Sequence, residues 1–243
     1  MIKSKLDVVQ WGADRFRVGP WRGDARIAYV APAAGRPPAP ATVEQCLASL
    51  AGRGYRSVIT SALTTSEQGP FVAAGFDVHQ RLHLLRHDLR ALPAARPFRL
   101  RRALRFDQAA VLRLDGLAFD PFWRFDPRGL SDARRATPSS RFRIAESNGL
   151  AGYAITGRAG PIGYLQRLAV HPDRQHRGLG TALVVDALTW VQSRGATSLL
   201  VNTQEHNRTA LGLYEHLGFV READGLAVLE RPLTPHLGPS SLP

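Results

Sequence analysis

Gln175-His176-Arg177-Gly178-Leu179-Gly180-Thr181 separates an apolar strand ending near Val170 from the strongest helical pattern in the chain. Over residues 181–194, Ala182, Leu183, Ala187, Leu188 and Val191 recur at the spacing of one helix face. A helix ordinarily borrows a Ser, Thr, Asp or Asn side chain to satisfy its first N–H groups. This turn offers two glycines instead, which let a ligand approach the backbone closely. The unsatisfied N–H groups and the positive end of the helix dipole then make an anion site, to which Arg174 and Arg177 add charge. A pyrophosphate fits such a turn; a plain strand-to-helix connection is the alternative. Other phosphate motifs fail on the letters. A P-loop ends in Gly-Lys-Ser/Thr, and the lysines here are Lys3 and Lys5. A dinucleotide fingerprint needs a third glycine where Leu183 stands. His171 and His176 have no partner cysteine nearby, and no metal is expected.

Outward from this turn, residues 141–145, 150–156 and 161–170 read as successive strands, with turns at 147–149 and 157–160. Before them come a strand at 98–103, a helix at 106–119 and a shorter helix at 129–136. After it come a strand at 198–203, a helix at 209–217 and a final strand at 226–231. Residues 90–97, RALPAARP, read as a linker, and 233–243 as a flexible tail.

The N-terminal part echoes this order. Residues 5–10, 15–18 and 26–30 have strand character, with a turn expected at Gly19-Pro20 and a Pro/Gly/Ala-rich loop at 31–41. A helix is expected at 43–54, then strands at 57–63 and 82–89. Val43, Arg53, Gly54 and Ser57 match Val184, Arg194, Gly195 and Ser198 in order and spacing. Phe71-x-x-x-Gly75-Phe76 likewise matches Tyr214-x-x-x-Gly218-Phe219. The shared sequence of elements predicts a duplicated architecture.

With 243 residues, 44% of them hydrophobic, the chain can hold one large domain or two small ones. The single cysteine, Cys46, excludes a disulfide framework and a thiolate metal cluster. No apolar run reaches the roughly 20 residues that span a bilayer, and no signal-peptide pattern opens the chain, so a soluble, cytoplasmic protein without a membrane partner is expected. The net charge of +12 is almost all arginine. It is read either as a polyanionic partner or as a compositional bias of Arg over Lys. The arginines are scattered rather than interleaved with aromatics, so a nucleic-acid partner is not expected.

Gln175-x-x-Gly178-x-Gly180 between a strand and a long helix resembles the acyl-CoA motif of the GNAT superfamily of N-acetyltransferases. The likeness extends through 163–172 before it, and through 201–203, Asn207 and Leu213-Tyr214-Glu215-His216-Leu217-Gly218-Phe219 after it. It covers roughly residues 98–232. One departure is His176, where a small residue is frequent. The resemblance implies an α/β (α+β) fold: a mixed, mostly antiparallel sheet flanked by helices, here preceded by a partial, degenerate copy. The implied division is 1–93 for that copy, 94–233 for the catalytic domain and 234–243 for the tail.

The resemblance also implies acetyl-CoA as the acyl donor and an amine as acceptor, possibly a protein. The cofactor would lie on Leu168, Ala169, Val170, Gln175, His176, Arg177, Gly178, Leu179, Gly180, Thr181 and Asn207. The strand ending at Val170 would splay from 198–203, so that the pantetheine arm pairs with Leu168, Ala169 and Val170 as an added strand. Tyr214 would protonate the leaving thiolate, a core aromatic being the alternative. Asn207 is read as a cofactor contact or a helix cap. On the acceptor side, the aromatic loop 119–127 suggests a substrate wall of Asp120, Phe122 and Trp123, or else a hydrophobic plug. Asp120 or Asp126 could hold an ammonium. Glu146, Glu205 and His206 are the candidate bases. In the first copy Phe71 has no proton to give, and the stretch Gly35-Arg36-Pro37-Pro38-Ala39-Pro40 lacks the N–H donors a pyrophosphate needs.

The expected function is acetyl transfer to a protein N-terminus, a lysine or a small amine. Alternatives are a small-molecule enzyme like the mycothiol-synthase branch and a non-catalytic CoA-binding or nucleic-acid-associated module.

Overall fold

The computed structural model describes residues 6–33, 36–147 and 149–233. The expected tail 234–243, Gly35 of the proline-rich stretch, and Asn148 of the 147–149 turn lie outside the described residues. Two compact units are formed. One runs to Leu82 and resumes at Asp224; the other spans His83–Ala223.

The first unit opens with β1 (Asp7–Trp11), β2 (Asp14–Trp21) and β3 (Asp24–Pro32), an antiparallel run. Helix α1 (Pro40–Gly52) carries the chain over to β4 (Ser57–Thr60), which pairs parallel to β3. Then follow β5 (Leu63–Thr64), α2 (Thr65–Ala73) and β6 (Asp77–His87), a strand that begins in this unit and ends in the second. Phe16, Val18, Ala28 and Val30 of the strands bury against Val43, Cys46, Leu47 and Leu50 of α1 and against Phe71 and Phe76.

The turn expected at Gly19-Pro20 is not there. Both residues continue β2, opposite Tyr29 and Ala28, and a register shift follows Pro20. The chain reverses at Arg22-Gly23, whose φ values of +47° and +84° suit a two-residue hairpin between the paired Trp21 and Asp24. Proline is tolerated because the bulge beside it absorbs the missing donor.

Helix α1 has no capping side chain of its own at Ala39. A buried carboxylate from β2 does the work. Asp14 accepts the Ala39 N–H at 2.8 Å and the Thr42 hydroxyl at 2.7 Å. The Arg36 guanidinium lies 2.8 Å from its other oxygen, an ion pair without hydrogen-bond geometry. The Ala39 and Thr42 bonds hold this carboxyl below the usual carboxylate range. Asp14→Ala is expected to cost about 1–3 kcal/mol of stability in denaturant unfolding at pH 7. The folded pKa lies below the unfolded value near 3.8, so this contribution is full above pH 4 and lost as pH falls through the folded pKa. The mutant and parent curves should therefore converge below pH 4.

The second unit contains β7 (Leu100–Arg102), α3 (Gln108–Ala118), α4 (Pro127–Arg135), β8 (Ser139–Glu146), β9 (Leu150–Ala159) and β10 (Ile162–Val170). These are followed by α5 (Leu179–Ser193), β11 (Ser198–Gln204), α6 (Arg208–His216) and β12 (Val220–Arg221). Its sheet runs from the end of β6 through β11, β10, β9 and β8 to β7, with β12 on β6. Strands β8, β9 and β10 are antiparallel neighbours, whereas β11 lies parallel to β10 because α5 spans the crossover. Successive β9 side chains serve opposite faces. Ala154 joins the α5 core with Leu183, Ala187 and Val191. Tyr153 and Ile155 join the α3/α4 core with Val111, Leu114 and Leu130.

The chain returns to the first unit through β13 (Leu226–Pro232). The compact units therefore differ from a division at residue 93. The reason is hydrogen bonding: β13 pairs with β4, β5 and the start of β6. In turn Leu85 and Leu89 sit in the core of the second unit.

The echo in the sequence is also local structure. Tyr55 and Ala196 each donate back to the helix before them, to Leu50 and Val191. Phe76 and Phe219 donate to Phe71 and Tyr214 at 3.1 and 3.0 Å. Gly54, Gly75, Gly195 and Gly218 all take the left-handed φ that these helix ends require. No described helix is long and apolar enough to cross a membrane.

Candidate functional site

The site begins with a flaw in β10. Leu165 faces Thr156 and Arg167 faces Ile155, so Gln166 is an extra, bulged residue. Gly157 across the ladder makes room for it: a Cβ there would lie 2.5 Å from the Gln166 amide nitrogen and 2.2 Å from the Thr137 hydroxyl. A bulge bends its strand. The parallel pairing of β10 with β11 accordingly stops at Tyr164–Leu200, six residues before β10 ends at Val170. In the first unit the matching pair β3/β4 continues through Val30–Thr60, close to the end of β3 at Pro32.

Beyond the bulge, the His171 N–H donates to the Ala151 carbonyl at 2.8 Å. Strand alternation then turns the backbone groups of Ala169 toward β9, and those of Leu168 and Val170 toward the β11 side. The expected trio thus divides: two residues face the gap and Ala169 does not. The Val170 carbonyl is met by the Gln175 amide at 3.4 Å.

The turn that follows is strained and uncapped. His176, a non-glycine, has φ +58°, and Gly178, the N-cap of α5, has φ +86°. Among the described residues no side chain caps the first turn of α5, so the N–H groups of Leu179, Gly180 and Thr181 lack the protein carboxylate that α1 has. Leu179 is itself a core residue and offers only backbone. The side chains of Gln175, His176 and Arg177 are exposed around it. Uncapped N–H groups, a helix dipole and Arg177 together suit a phosphate group.

Asn207 caps α6, its side-chain oxygen accepting the Ala210 N–H at 3.0 Å. Tyr214, one face further along α6, is 4% exposed and packs on Phe219 with ring centroids 5.5 Å apart. Burial pushes its phenol above the usual value of 10.0, so it carries its proton at neutral pH.

A cleft of about 520 Å³ opens beside these elements, its walls including Asp120, Arg124, His206, Asn207, Arg208 and Thr209. Of the residues expected at the site, it brings together Asp120 and Asn207. Phe122 and Trp123 meet edge to face, with centroids 5.1 Å apart, and do not line it; neither do Tyr214 nor residues 168–181. Asp126 caps α4, accepting the Gly129 N–H at 2.7 Å, and does not line the cleft. Glu146 is engaged by Arg101 and Arg99 and is not a free base. His206 lines the cleft.

Sequence reasoning missed the buried pair behind this loop. Asp115 of α3, fully buried, accepts from Arg167 Nε and Nη2 at 2.8 Å each, from the Tyr153 hydroxyl and from the Phe125 N–H at 2.6 Å. Arg167 also donates to the Trp123 carbonyl at 2.8 Å, and its guanidinium lies 3.3 Å from the Phe119 ring centroid and 4.1 Å from that of Phe125. The loop 119–125 is therefore clamped from below. The signals were present: Asp115 falls four residues after Val111 on the apolar face of α3, and Arg167 interrupts an apolar strand.

Residues 109–219 match the Acetyltransferase (GNAT) family. Mycothiol acetyltransferase of Thermobispora bispora is 36% identical over 97 residues, 40% of this chain and 32% of that protein. The ribosomal protein bS18-alanine N-acetyltransferase of Escherichia coli is 35% identical over 78 residues, 32% of this chain and 53% of that protein. The matches thus span between 32% and 53% of the length of these curated relatives. Among solved structures, a tandem GNAT protein from the clavulanic acid biosynthesis pathway superimposes with a TM-score of 0.67 at 16% identity, covering 94% of this chain and 82% of that one. A GCN5-related N-acetyltransferase from Kribbella flavida gives 0.65 at 16% identity, with 96% and 91% covered. At such identities the likeness is one of fold. Residues 109–219, which hold the bulged strand and the helix turn, are thus the part of the chain that is similar to the acetyltransferase (GNAT) family.

Proposed function

We propose that this protein is an N-acetyltransferase that moves the acetyl group of acetyl-CoA to an amine by direct attack in a ternary complex. One juxtaposition carries this reading: β10 is unpaired with β11 from Leu165 onward, and it leads into a helix whose first turn has no capping side chain. The pantetheine arm pairs with the backbone of Leu168 and with the Val170 N–H, as an added strand would. The pyrophosphate sits on the N–H groups of residues 179–181 beside Arg177. The amine lone pair attacks the thioester carbon, and the charge gathering on oxygen meets a backbone N–H of β10. The C–S bond then breaks and the thiolate takes the Tyr214 proton. The attacking nitrogen loses its own proton to water or to His206.

In this reading 94–233 is the catalytic segment and 1–93 a degenerate copy with a structural role. Three features of the first unit support that. Strands β3 and β4 pair through Val30, Asp14 occupies the N-terminal end of α1, and Phe71 stands where the second unit has Tyr214. A cytoplasmic setting completes the proposal and suits a lone, buried Cys46 whose thiol burial pushes up to about 12.

Isothermal titration with acetyl-CoA should give one site per chain, and acetyl-CoA should release free thiol with at least one member of an amine panel. Absence of binding overturns the reading. Binding without thiol release on any amine leaves a CoA-binding module.

A further inference from the structure

The charge of the cleft narrows the acceptor. Two guanidiniums, Arg124 and Arg208, and the imidazole of His206 share its walls with a single carboxylate, Asp120. Arg124 is anchored there through Nε, which donates to the Phe119 carbonyl at 3.0 Å, leaving the rest of its fork for another partner. Arg208 stands at the first turn of α6, where its backbone N–H is taken by the His206 carbonyl at 2.9 Å and its side chain is exposed. Among the described residues neither arginine has a carboxylate within 4.0 Å, whereas Arg101, Arg141, Arg143 and Arg167 are all paired. The Thr209 hydroxyl and the positive end of the α6 dipole add to the same wall.

A purely cationic acceptor, such as a lysine side chain with neutral flanks, meets two like charges and one unlike charge in such a cleft. An acceptor carrying an acid group beside its amine meets a matching pair. Its ammonium is received by Asp120, and its carboxylate or phosphate by the guanidinium forks, which bind such groups bidentately. We propose that the acceptor is a small amine bearing a carboxylate or phosphate near the reacting nitrogen, with Arg208 as the residue that selects for the acid. This rests on the transferase reading above and goes beyond it by naming the class of acceptor.

Matched pairs of amines test it by thiol release at saturating acetyl-CoA. Free α-amino acids are compared with their C-terminal amides, and O-phosphoethanolamine with ethanolamine. The acid-bearing member of at least one pair should be favoured about tenfold or more in kcat/KM, as expected for a charge-assisted contact. Arg208→Gln should shrink that preference to about twofold while acetyl-CoA binding stays unchanged. Because Arg208 is exposed, the variant should melt with the parent, which thermal unfolding by circular dichroism checks. Equal or better use of the neutral members overturns the proposal and leaves the transferase reading standing, as does binding of acetyl-CoA with no turnover of any acid-bearing amine. If Arg208→Gln instead weakens acetyl-CoA and the effect vanishes with 3′-dephospho-acetyl-CoA, the anion is the donor's own phosphate and the proposal falls. Failure of acetyl-CoA to bind removes the transferase reading, and this inference with it.

Discussion

Asp115→Ala is expected to lower the unfolding free energy by about 3–5 kcal/mol. The carboxylate is fully buried and takes four hydrogen bonds, from Arg167 twice, Tyr153 and the Phe125 backbone. Burial is also the main reason the Tyr153 phenol is raised, so it stays a donor. Without Asp115 the Arg167 charge, with 9% of its side chain exposed, remains between two aromatic rings with no counter-ion. The attraction within a buried pair is largely offset by desolvation, so removing both charges should hurt less than removing one. The double variant Asp115→Leu/Arg167→Met is accordingly expected to recover part of the loss. Urea unfolding of the two single variants and the double variant checks this; a loss below about 1 kcal/mol for Asp115→Ala, typical of a surface change, sinks it. Since the pair holds loop 119–125 through the Phe125 N–H and the Trp123 carbonyl, the milder Asp115→Asn should raise the acceptor KM and spare acetyl-CoA binding.

Tyr214→Phe is expected to lower kcat by roughly 10²- to 10⁴-fold, the usual worth of a positioned acid, while acetyl-CoA affinity stays within about twofold. The phenol oxygen is the one atom the substitution removes, from a ring that is 4% exposed and packed on Phe219, so the cavity left is small. Burial raises the Tyr214 pKa above 10.0, so the folded chain keeps this proton past the pH at which a free tyrosine loses it. The rate should therefore show no fall assignable to this group below about pH 10. The sign for stability follows: this contribution is full below the unfolded value near 10 and is lost as pH rises through the folded pKa. Steady-state kinetics across pH, beside calorimetric binding of acetyl-CoA, separates the two effects. Unchanged turnover in Tyr214→Phe would remove the residue from the mechanism.

Much of the local structure was legible from residue patterns. The α5 periodicity, the two glycines at its start and the Gly-Phe helix ends depend on contacts within a few residues, and α5 begins only two residues before the expected 181. The Gly19-Pro20 turn went astray because a proline is both a turn residue and a tolerated neighbour of a bulge, and only pairing with β3 separates the two. The acceptor loop was legible as aromatic and charged. Its division of labour was not: Asp126 caps a helix, Asp120 lines a cleft, and the arginine that clamps the loop comes from a strand more than forty residues further on.

The turn proposed to hold a phosphate and the phenol proposed as proton donor could be singled out from the chain alone, because a helix end and a phenol carry their chemistry with them. Three things needed the tertiary structure. The bulge at Gln166 is set by what lies across the ladder, Gly157, and it frees β10 from β11. The anion end of α1 is occupied by Asp14, a residue of another strand. The final strand closes the sheet of the first unit, since its hydrogen bonds go to β4, β5 and β6. Each depends on partners distant in sequence, and a hydrogen bond between remote segments leaves no period in the letters of either one.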